Sequence, residues 1–309
     1  MKVKRIFASV AMVLGAVVIG TLIVAHTIYA NSVTSQVTVG ASTPVVSGVS
    51  VNGGTSITLT ANATTSINVN NTITDANGCG EITGGTTTIL LYRSGVTSST
   101  CLTSASNLNC YQATAFTASS TCTSGSQTAT TTFGVYYFAQ ATDSSSSFSG
   151  QSWIATVMFK TTDGATGTAD SSGVTLNTLT AINVTTSTIN YGTIAANTNT
   201  GSTNQVTTTT NAGNSSTSLQ LSAQATLASG GNVIATSSQG FATSTFNYAN
   251  TGSSTALTGS AVTVTGFTLT SPTSTSNVQS PVFWGLGVPN GTPTGTYTGT
   301  NVFAALFHA

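Results

Sequence analysis

The chain has 309 residues, which is enough for two compact β-sandwich domains beyond an N-terminal targeting segment. Only 3% of the residues are charged, five basic and five acidic, so the formal net charge is zero. So few cations cannot neutralise a row of phosphates, which excludes nucleic acid and anionic lipid surfaces as partners. The 66 Thr and 42 Ser supply polar surface, and the 39% hydrophobic content argues against a disordered chain.

Residues 1–30 have the pattern of an export signal. Three basic residues near the start are followed by an uncharged apolar run over residues 6–25, and Ile28 and Ala30 occupy the −3 and −1 positions of a signal-peptidase site. We expect cleavage after Ala30, with an uncleaved membrane anchor as the alternative because the apolar run is long enough to span a bilayer. Both alternatives place the rest of the chain outside the cytoplasm, at the cell surface or beyond, with membrane contact only through this segment.

All four cysteines lie within one short stretch, at Cys79, Cys101, Cys110 and Cys122. An even number of cysteines in an exported chain predicts two disulfides, and the sequence leaves all three connectivities open. Zinc is the competing explanation, but the spacings contain no C-x2-C pair and no histidine accompanies them.

Strand-like runs alternate between apolar and polar residues along the whole exported chain. The strongest cover residues 56–60, 66–70, 88–93, 131–141 and 152–161, and then residues 219–223, 261–269, 282–288 and 296–307. After the leader, no segment has apolar residues at helical spacing over a useful length. The chain is therefore predicted to be all-β, as two consecutive immunoglobulin-like β-sandwich domains.

A stretch of small and polar residues at 163–173 separates the half that contains cysteines from the half that lacks them. We interpret it as a linker between a disulfide-containing β-sandwich domain, residues 31–162, and an immunoglobulin-like domain, residues 174–309. Two low-complexity stretches are interpreted as a solvated loop, residues 144–149, and a solvent-facing strand, residues 207–210.

Several short motifs of the first half resemble a family of exported proteins from ultrasmall candidate-phylum bacteria. They are Asp-Ala-Asn-Gly-Cys at 75–79, Leu-Tyr-Arg-Ser-Gly at 91–95, Asn-Cys-Tyr at 109–111 and Tyr-Tyr-Phe-Ala at 136–139. The second half is similar to bacterial immunoglobulin-like surface modules, through the motifs at 191–195, 211–214 and 288–297. In such modules a Gly-Thr-Tyr step opens the final strand. The resemblance implies a fold and a compartment, and it supplies no activity or site residues.

Catalytic residues are scarce once the leader is set aside. The remaining histidine is His308, one residue from the end, where an ordered general base is not expected. The sequence has no G-x-S-x-G elbow for a serine nucleophile, and the even cysteine count leaves no free thiolate. Five scattered acids make a two-carboxylate glycosidase the last enzymatic alternative. We predict that the chain is not an enzyme.

The acids suit a calcium ion better than a catalytic pair, because Ca²⁺ prefers carboxylate, amide and carbonyl oxygens. Asp75 and Asn77 begin a segment that starts like a calcium loop, and Asp163 and Asp170, with Asp143 near them, are a second candidate cluster. Turn formation explains the same residues without any metal. We therefore expect no cofactor, with calcium at these positions as the alternative.

Aromatic residues at an exposed face are typical of sugar-binding platforms. The candidates are Trp153, Trp284, Tyr136 and Tyr137, but the two tyrosines are adjacent on a predicted strand and therefore point to opposite faces. Trp153 begins a run that is apolar for most of its length. We expect both tryptophans to pack in the core.

Residues 31–40 contain Val33, Val37 and Val39 in a polar background. We interpret the segment as the first strand of its own domain. The alternative is strand exchange, in which such a segment pairs with an exposed edge strand of another chain.

Together these observations favour an exported, non-catalytic structural protein of a bacterial cell surface, in an envelope layer, an appendage or the wall. Its expected partners are other envelope proteins or further copies of itself. The alternative is an adhesin that binds glycans or proteins of other cells. No feature of the sequence identifies a ligand.

Overall fold

The structure is a computed structural model that describes residues 32–308. The predicted leader, residues 1–30, lies outside the described residues. The described chain is built almost entirely of antiparallel strands, and its α-helices are short. The predicted all-β fold class is confirmed. From Ala41 onward the chain forms one compact unit.

The first half of this unit contains two four-stranded sheets. The strands of the first sheet, in spatial order, are β1 (Val45–Val51), β2 (Thr64–Thr74), β6 (Ser126–Tyr136) and β5 (Thr117–Ala118). Those of the second are β4 (Cys110–Ala113), β3 (Thr86–Arg93), β7 (Trp153–Lys160) and β8 (Thr166–Asp170). A 3-10 turn at Asn52–Gly54 follows β1.

These two sheets pack face to face because alternate residues of each strand are apolar and point inward. In β2 the buried positions are Ile67, Val69, Asn71 and Ile73, separated by polar residues that face outward. Trp153 of β7 is fully buried in the same core, where its indole Nε1 donates to the Gln140 carbonyl oxygen at 2.9 Å. The predicted packing of this tryptophan is thus observed.

A smaller core covers the outer face of the second sheet. Helix α2 (Ser98–Thr103) carries a buried cysteine, Cys101, over the sheet, whereas Ile82 of helix α1 (Cys79–Thr83) packs in the main core. Cys101 packs with Leu90 and Tyr92 of β3, whose side chains point away from the main core. The near-continuous apolar run of β3 is explained by this burial on both faces.

The second half also contains two sheets. One has the order β15 (Thr255–Ala256), β14 (Gln239–Ala242), β17 (Gln279–Val288), β11 (Gln205–Asn211) and β9 (Ile182–Val184), with β10 (Thr198–Asn199) paired to β17. The other has β12 (Thr217–Ser229) at its centre, paired with β13 (Asn232–Ile234), β16 (Val262–Thr263) and β18 (Thr298–Phe307). A 3-10 turn at Thr236–Ser238 precedes β14.

The second core lies between these sheets and is centred on Trp284, which is fully buried. Its ring lies 5.8 Å from the rings of Phe241 and Phe303, measured between centroids. The indole Nε1 donates to the Thr207 hydroxyl at 2.9 Å. The prediction that residues 207–210 form a solvent-facing strand is wrong in its orientation, since Thr207, Thr209 and Thr210 are all buried in β11.

The two halves are joined through a hydrogen-bonded junction. Asn214 is buried there: its Nδ2 donates to the carbonyl oxygens of Ala139 and Asn177, and its Oδ1 accepts from the Leu179 amide at 2.6 Å. The Asp143 carboxylate adds bonds from the amide and hydroxyl of Thr178, both at 2.6 Å. These bonds tie the end of the first half to the start of the second.

Several predicted elements differ from those in the structure. Residues 163–173, predicted as a linker, contain strand β8, which pairs with β7 in the first half. Residues 56–60 form no strand, since Ile57 makes one isolated parallel bridge to Leu176 although its side chain is buried. Strand β6 ends at Tyr136, short of the predicted 141, and of residues 261–269 only Val262–Thr263 form a strand.

Residues 32–40 form no strand, so the interpretation of this segment as the first strand of its domain is wrong. The first strand of the described chain is Val45–Val51. The side chains of Val33, Val37 and Val39 are 87%, 84% and 76% exposed. Within residues 32–308, the helices are all too short or too polar to cross a membrane.

Candidate functional site

Both predicted disulfides are present, and the structure resolves their connectivity. Cys79 at the start of α1 pairs with Cys122 in the loop before β6, and Cys101 of α2 pairs with Cys110 of β4. The first closes a loop across 43 residues and the second across 9. Paired cysteines of this kind are typical of proteins that fold in an oxidising compartment outside the cytoplasm.

Asp75 and Asn77, the first pair of calcium candidates, lie together in a turn next to the first disulfide. The Asp75 Oδ1 accepts from the Ser42 hydroxyl at 2.8 Å and from the Asn77 amide at 2.7 Å, and Asn77 Oδ1 accepts from the Ser42 amide at 2.6 Å. Asp75 Oδ2 is buried and has no hydrogen-bond partner among the described residues. The arrangement is that of an Asx-turn that fastens the chain before β1.

Asp163 and Asp170 are separated by the whole length of β8, which at five residues spans about 16 Å. The Asp163 Oδ1 accepts from the Thr161 hydroxyl at 2.5 Å, and the Asp170 Oδ1 accepts from the Thr156 hydroxyl at 2.5 Å. Asp143 lies at the junction between the halves. Within residues 32–308 no three His, Cys, Asp or Glu side chains come together as a metal cluster.

His308 directly follows β18 and is hydrogen-bonded to β12 and to the residue before that strand. Its amide donates to the Ser216 carbonyl oxygen at 3.1 Å, and its Nδ1 lies 3.1 Å from the Ser218 hydroxyl. His308 lies at the junction between the halves. Sequence reasoning missed this placement because β18 pairs with β12 almost to the C-terminus.

The junction itself forms a cleft of about 470 Å³. Hydroxyl-bearing residues of both halves line it together with Phe138, Phe148 and Phe307. The Arg93 guanidinium lies beside the cleft, with its carbon 3.9 Å from the centre of the Phe148 ring. Arg93 Nε donates to Gln140 Oε1 at 2.9 Å, and Nη1 donates to Gln151 Oε1. Burial lowers the pKa of Arg93 from its ordinary value, although the group stays protonated at neutral pH.

Strand β18 forms one edge of the second sandwich, and it is the longest edge strand in the described chain. Over its ten residues it pairs with β12 alone among residues 32–308. The other edge strands, such as β8, β4 and β9, have five residues or fewer, except for β1, which has seven and a register shift.

The hydrogen bonds of β12 show which backbone groups of β18 are directed away from the sheet. Thr217 and Leu219 of β12 bond to residues on the side opposite β18, at 2.8 Å. Even-numbered residues of β12 therefore face β18, where Ser218 stands opposite Leu306 and Gln220 opposite Ala304. The amide and carbonyl groups of the odd-numbered residues of β18 consequently point outward along the free edge. These residues are Asn301, Phe303, Ala305 and Phe307.

One cleft lies along the first part of this edge, between β18 and the irregular segment that follows β9, and a second cleft lies beyond it, where no residue of β18 contributes to the lining. One has a volume of about 570 Å³ and is lined by Phe303, Leu227 and Ile189, among others. The other, of about 560 Å³, lies on the far side of Tyr191 and Tyr297. The segment at 185–195 has no strand structure, so the core is incompletely covered on this side.

Tyr191 lies between the two clefts and is held by a polar cluster. Its hydroxyl donates to Gln239 Oε1 at 3.1 Å, and Asn301 Nδ2 donates to the same oxygen at 3.0 Å. Burial raises the pKa of Tyr191 well above its ordinary value, and the nearby Tyr248 adds a smaller increase. This cluster links β18 to β14 of the facing sheet.

The β18 edge also exposes apolar side chains. Val302 is 38% exposed, Leu306 40% and Phe307 39%. Charged residues and prolines usually keep an edge strand from pairing with another chain, and β18 contains neither. The free backbone groups, the cleft beside Phe303 and these side chains together make the β18 edge the candidate functional site.

Several solved structures show a distant likeness to this chain. The complex of CsuC and CsuE, a chaperone and tip adhesion subunit of archaic chaperone-usher Csu pili of Acinetobacter baumannii, matches 82% of this chain and 98% of that chain, with 10% identity and a TM-score of 0.36. The native E. coli alpha-2-macroglobulin matches 84% of this chain but 16% of its own length, with 9% identity and a TM-score of 0.25. The secreted serine protease VesC from Vibrio cholerae matches 84% and 51%, with 10% identity and a TM-score of 0.20.

No family model matches the chain, and neither does a curated protein. TM-scores this low carry no argument about activity or partners. The resemblance to the exported candidate-phylum proteins stays a prediction.

Proposed function

We propose that this protein is an exported, non-catalytic structural component of a bacterial cell surface, which assembles with envelope proteins or with further copies of itself. The observation that carries the proposal is the long uncovered edge of β18. An exposed edge strand is a ready template for pairing with another chain, and natural proteins usually block it. A surface subunit that must polymerise has a reason to leave it open.

The first half suits a mechanical role. Its two disulfides close loops of different lengths, and its central strands β2 and β6 pair over eleven residues each. Cross-links of this kind stabilise a fold mainly by restricting the unfolded chain. A protein outside the cell, without chaperones or ATP, depends on such resistance to unfolding and proteolysis.

The surface chemistry is consistent with a crowded extracellular site. After the leader, two basic and five acidic residues remain, so Ser, Thr and Asn must keep the protein soluble. Neutral hydroxyl faces do not repel one another as like charges would, which permits close packing of copies.

Surface shaving of intact cells with a protease, followed by mass spectrometry, tests the location. We expect peptides from the exported chain in the shaved fraction, and their recovery only from the cytoplasm would overturn the proposal. Intact mass with and without reductant tests the processing. A mass that starts at Asn31, with thiols that alkylate only after reduction, is expected for a cleaved leader and two disulfides, whereas a full-length mass would make residues 1–30 an anchor.

An adhesin is the second candidate, and the junction cleft favours it. Hydroxyl groups and aromatic rings side by side suit a neutral glycan, because sugar rings stack on aromatic faces while their hydroxyls hydrogen-bond. A glycan array with the exported chain separates the two functions. Saturable binding that is lost in Phe148→Ala, and kept in the control Phe116→Ala, would support the adhesin; silence together with self-association supports the structural subunit.

A further inference from the structure

Residues 32–40 have the alternating sequence of a half-buried strand, but they form no strand in the structure. Positions 33, 37 and 39 are valine and position 35 is serine, whereas positions 32, 34, 36 and 38 are all polar. As a strand, the segment would therefore present one mostly apolar face and one polar face. In the structure it forms no strand, and its valines are 76% to 87% exposed.

The free edge of β18 lacks a strand to pair with. It presents a row of outward backbone amide and carbonyl groups but has no second neighbouring strand among the described residues. Its ten residues extend over about 33 Å, and nine extended residues of the segment at 32–40 would cover about 30 Å. Neither partner carries a charge or a proline, so neither repulsion nor a missing amide would oppose their pairing.

We propose that the segment at 32–40 of one copy of this chain pairs with the free edge of β18 in a second copy. The inference rests on the proposed structural function and names the partner of its assembly site. The valine face of the added strand points into the cleft lined by Phe303 and Ile189, where it completes the cover of the second core. The polar face, made of Ser, Thr and Gln, stays toward solvent.

A second copy is the favoured occupant because the valines remain exposed on the chain that carries them. Each copy then offers one donor segment and one acceptor edge, which are different surfaces. Such a head-to-tail contact does not close on itself unless the rotation between copies permits a ring, so it generates open chains of subunits. An appendage or a surface layer is built from contacts of this type.

The donor is tested with a matched pair of substitutions, Val37→Asp and Thr38→Asp, in the chain expressed with its leader in an exporting host. Both add the same charge at adjacent positions, but only Val37 belongs to the buried face of the proposed strand. We expect wild type and the Thr38→Asp control to form a ladder of oligomers in sedimentation velocity. Val37→Asp should weaken association by roughly 100-fold or more, because an unpaired charge would be buried at the interface.

The acceptor is tested at Ala305, whose amide points to the free edge. Ala305→Pro removes that donor without removing a bond to β12, and prolines are tolerated at edge positions of this kind. We expect association to weaken by roughly tenfold or more. Ala305→Ser, which keeps the amide, is the control and should assemble like wild type. Thermal melts of all variants show whether the fold is retained.

Mixing the two defective variants gives the decisive result. A chain with Ala305→Pro keeps its donor, and a chain with Val37→Asp keeps its acceptor, so an equal mixture should form 1:1 dimers and no longer chains. A merely misfolded variant would not complement. The inference is overturned if Val37→Asp assembles as wild type does or if the mixture stays monomeric.

These outcomes separate this inference from the function on which it rests. If assembly does not depend on residues 32–40, so that Val37→Asp assembles as wild type does, the protein is still a structural surface protein, but a different segment occupies the β18 edge. Wild type that stays monomeric at high concentration, while surface shaving still recovers it, would overturn self-assembly and leave only another envelope protein as the partner.

Discussion

The two halves of this protein have similar cores but differ in their covalent cross-links. Each half packs two antiparallel sheets around one fully buried tryptophan, Trp153 in the first and Trp284 in the second. The first half adds two disulfides and a second small core on its outer face. The second half has no cysteine, and its sandwich is open along β18.

This difference indicates that the two halves gain their stability in different ways. A covalently cross-linked sandwich holds its shape without help, whereas a sandwich with an uncovered edge gains stability when another strand completes it. Reinforcement is concentrated in the half whose edge strands are short or, in β1, interrupted by a register shift. The half with the open edge is the one in which added stability depends on assembly.

The largest expected effect comes from reducing the disulfides. The chain-entropy relation gives about 4 kcal/mol for the 43-residue loop and about 2.6 kcal/mol for the 9-residue loop. With reductant, we expect the unfolding transition of the first half to move to a much lower temperature while that of the second half stays. Calorimetry with and without reductant measures both transitions.

The two tryptophans make this comparison specific, because each half contains one. In Trp284→Phe, the fluorescence of Trp153 follows the first half alone, and in Trp153→Phe the remaining Trp284 follows the second. A double Cys79→Ala and Cys122→Ala variant should lose more stability than the corresponding pair at the short loop. If reduction lowered both fluorescence transitions equally, the halves would not be reinforced separately.

The next effect concerns the junction, through Asn214→Ala. The substitution removes three buried or part-buried hydrogen bonds and leaves backbone groups of Ala139, Asn177 and Leu179 without that partner. We expect a loss of about 3 kcal/mol and a clearer separation of the two unfolding transitions. Asn290→Ala, at an exposed turn, is the control and should change the stability by less than about 0.5 kcal/mol. A single unchanged transition in Asn214→Ala would show that the halves are coupled by other contacts.

Much of the fold can be predicted from the sequence, because alternation and apolar runs mark strands directly. The runs at 88–93 and 152–161 became β3 and β7 almost residue for residue. Residues 56–60 alternate as cleanly, yet Ile57 is buried by a single bridge to Leu176 from the far end of the half. Alternation of apolar and polar residues predicts that one face of a segment is buried. It does not predict whether a neighbouring strand pairs with that segment.

The candidate site was less accessible to sequence reasoning for the same reason. Residues 296–307 were predicted as a strand, and β18 is that strand, but no pattern within it shows that one of its edges is unpaired. The disulfide connectivity depends equally on which loops meet in space. The buried hydroxyl of Thr207 was missed because a threonine-rich run suggests solvent, whereas the indole of Trp284 requires an acceptor inside the core.

A smaller effect is expected at high pH, and in the second half it depends on Tyr191. Burial raises the pKa of Tyr191 above that of an unfolded tyrosine, so the folded state holds this proton more tightly. Its contribution to stability is complete below about pH 10 and is lost as the pH rises further, with a slope of at most about 1.4 kcal/mol per pH unit. Unfolding followed by Trp284 fluorescence from pH 9 to 12 measures the slope.

Tyr191→Phe should flatten this dependence, although it also removes the hydrogen bond to Gln239. Tyr297→Phe, whose hydroxyl donates to the Pro293 carbonyl oxygen at the cleft rim, is the matched control. Burial also raises the pKa of Tyr111 in the first half, so that half should weaken at alkaline pH as well. An unchanged slope in Tyr191→Phe would assign the alkaline loss to other groups.

The smallest effect tests whether the first half is also held by its one buried cation. Arg93 combines a guanidinium stacked on Phe148 with donors to Gln140 and Gln151, and so attaches the loop at 143–150 to the sheet. Arg93→Lys cannot reproduce this planar fork, and we expect a loss of about 1 kcal/mol, measured by denaturant unfolding with Trp153 as reporter. Lys160→Arg, at the other basic residue of the exported chain, is exposed and should be neutral. The Cys101–Cys110 disulfide is next to the backbone of Arg93, whose amide donates to the Asn109 carbonyl oxygen, but the side-chain partners of Arg93 are not cross-linked. The loss should therefore persist after reduction; a loss that vanished with reductant would mean that the cross-links, and not the local contacts, position this loop.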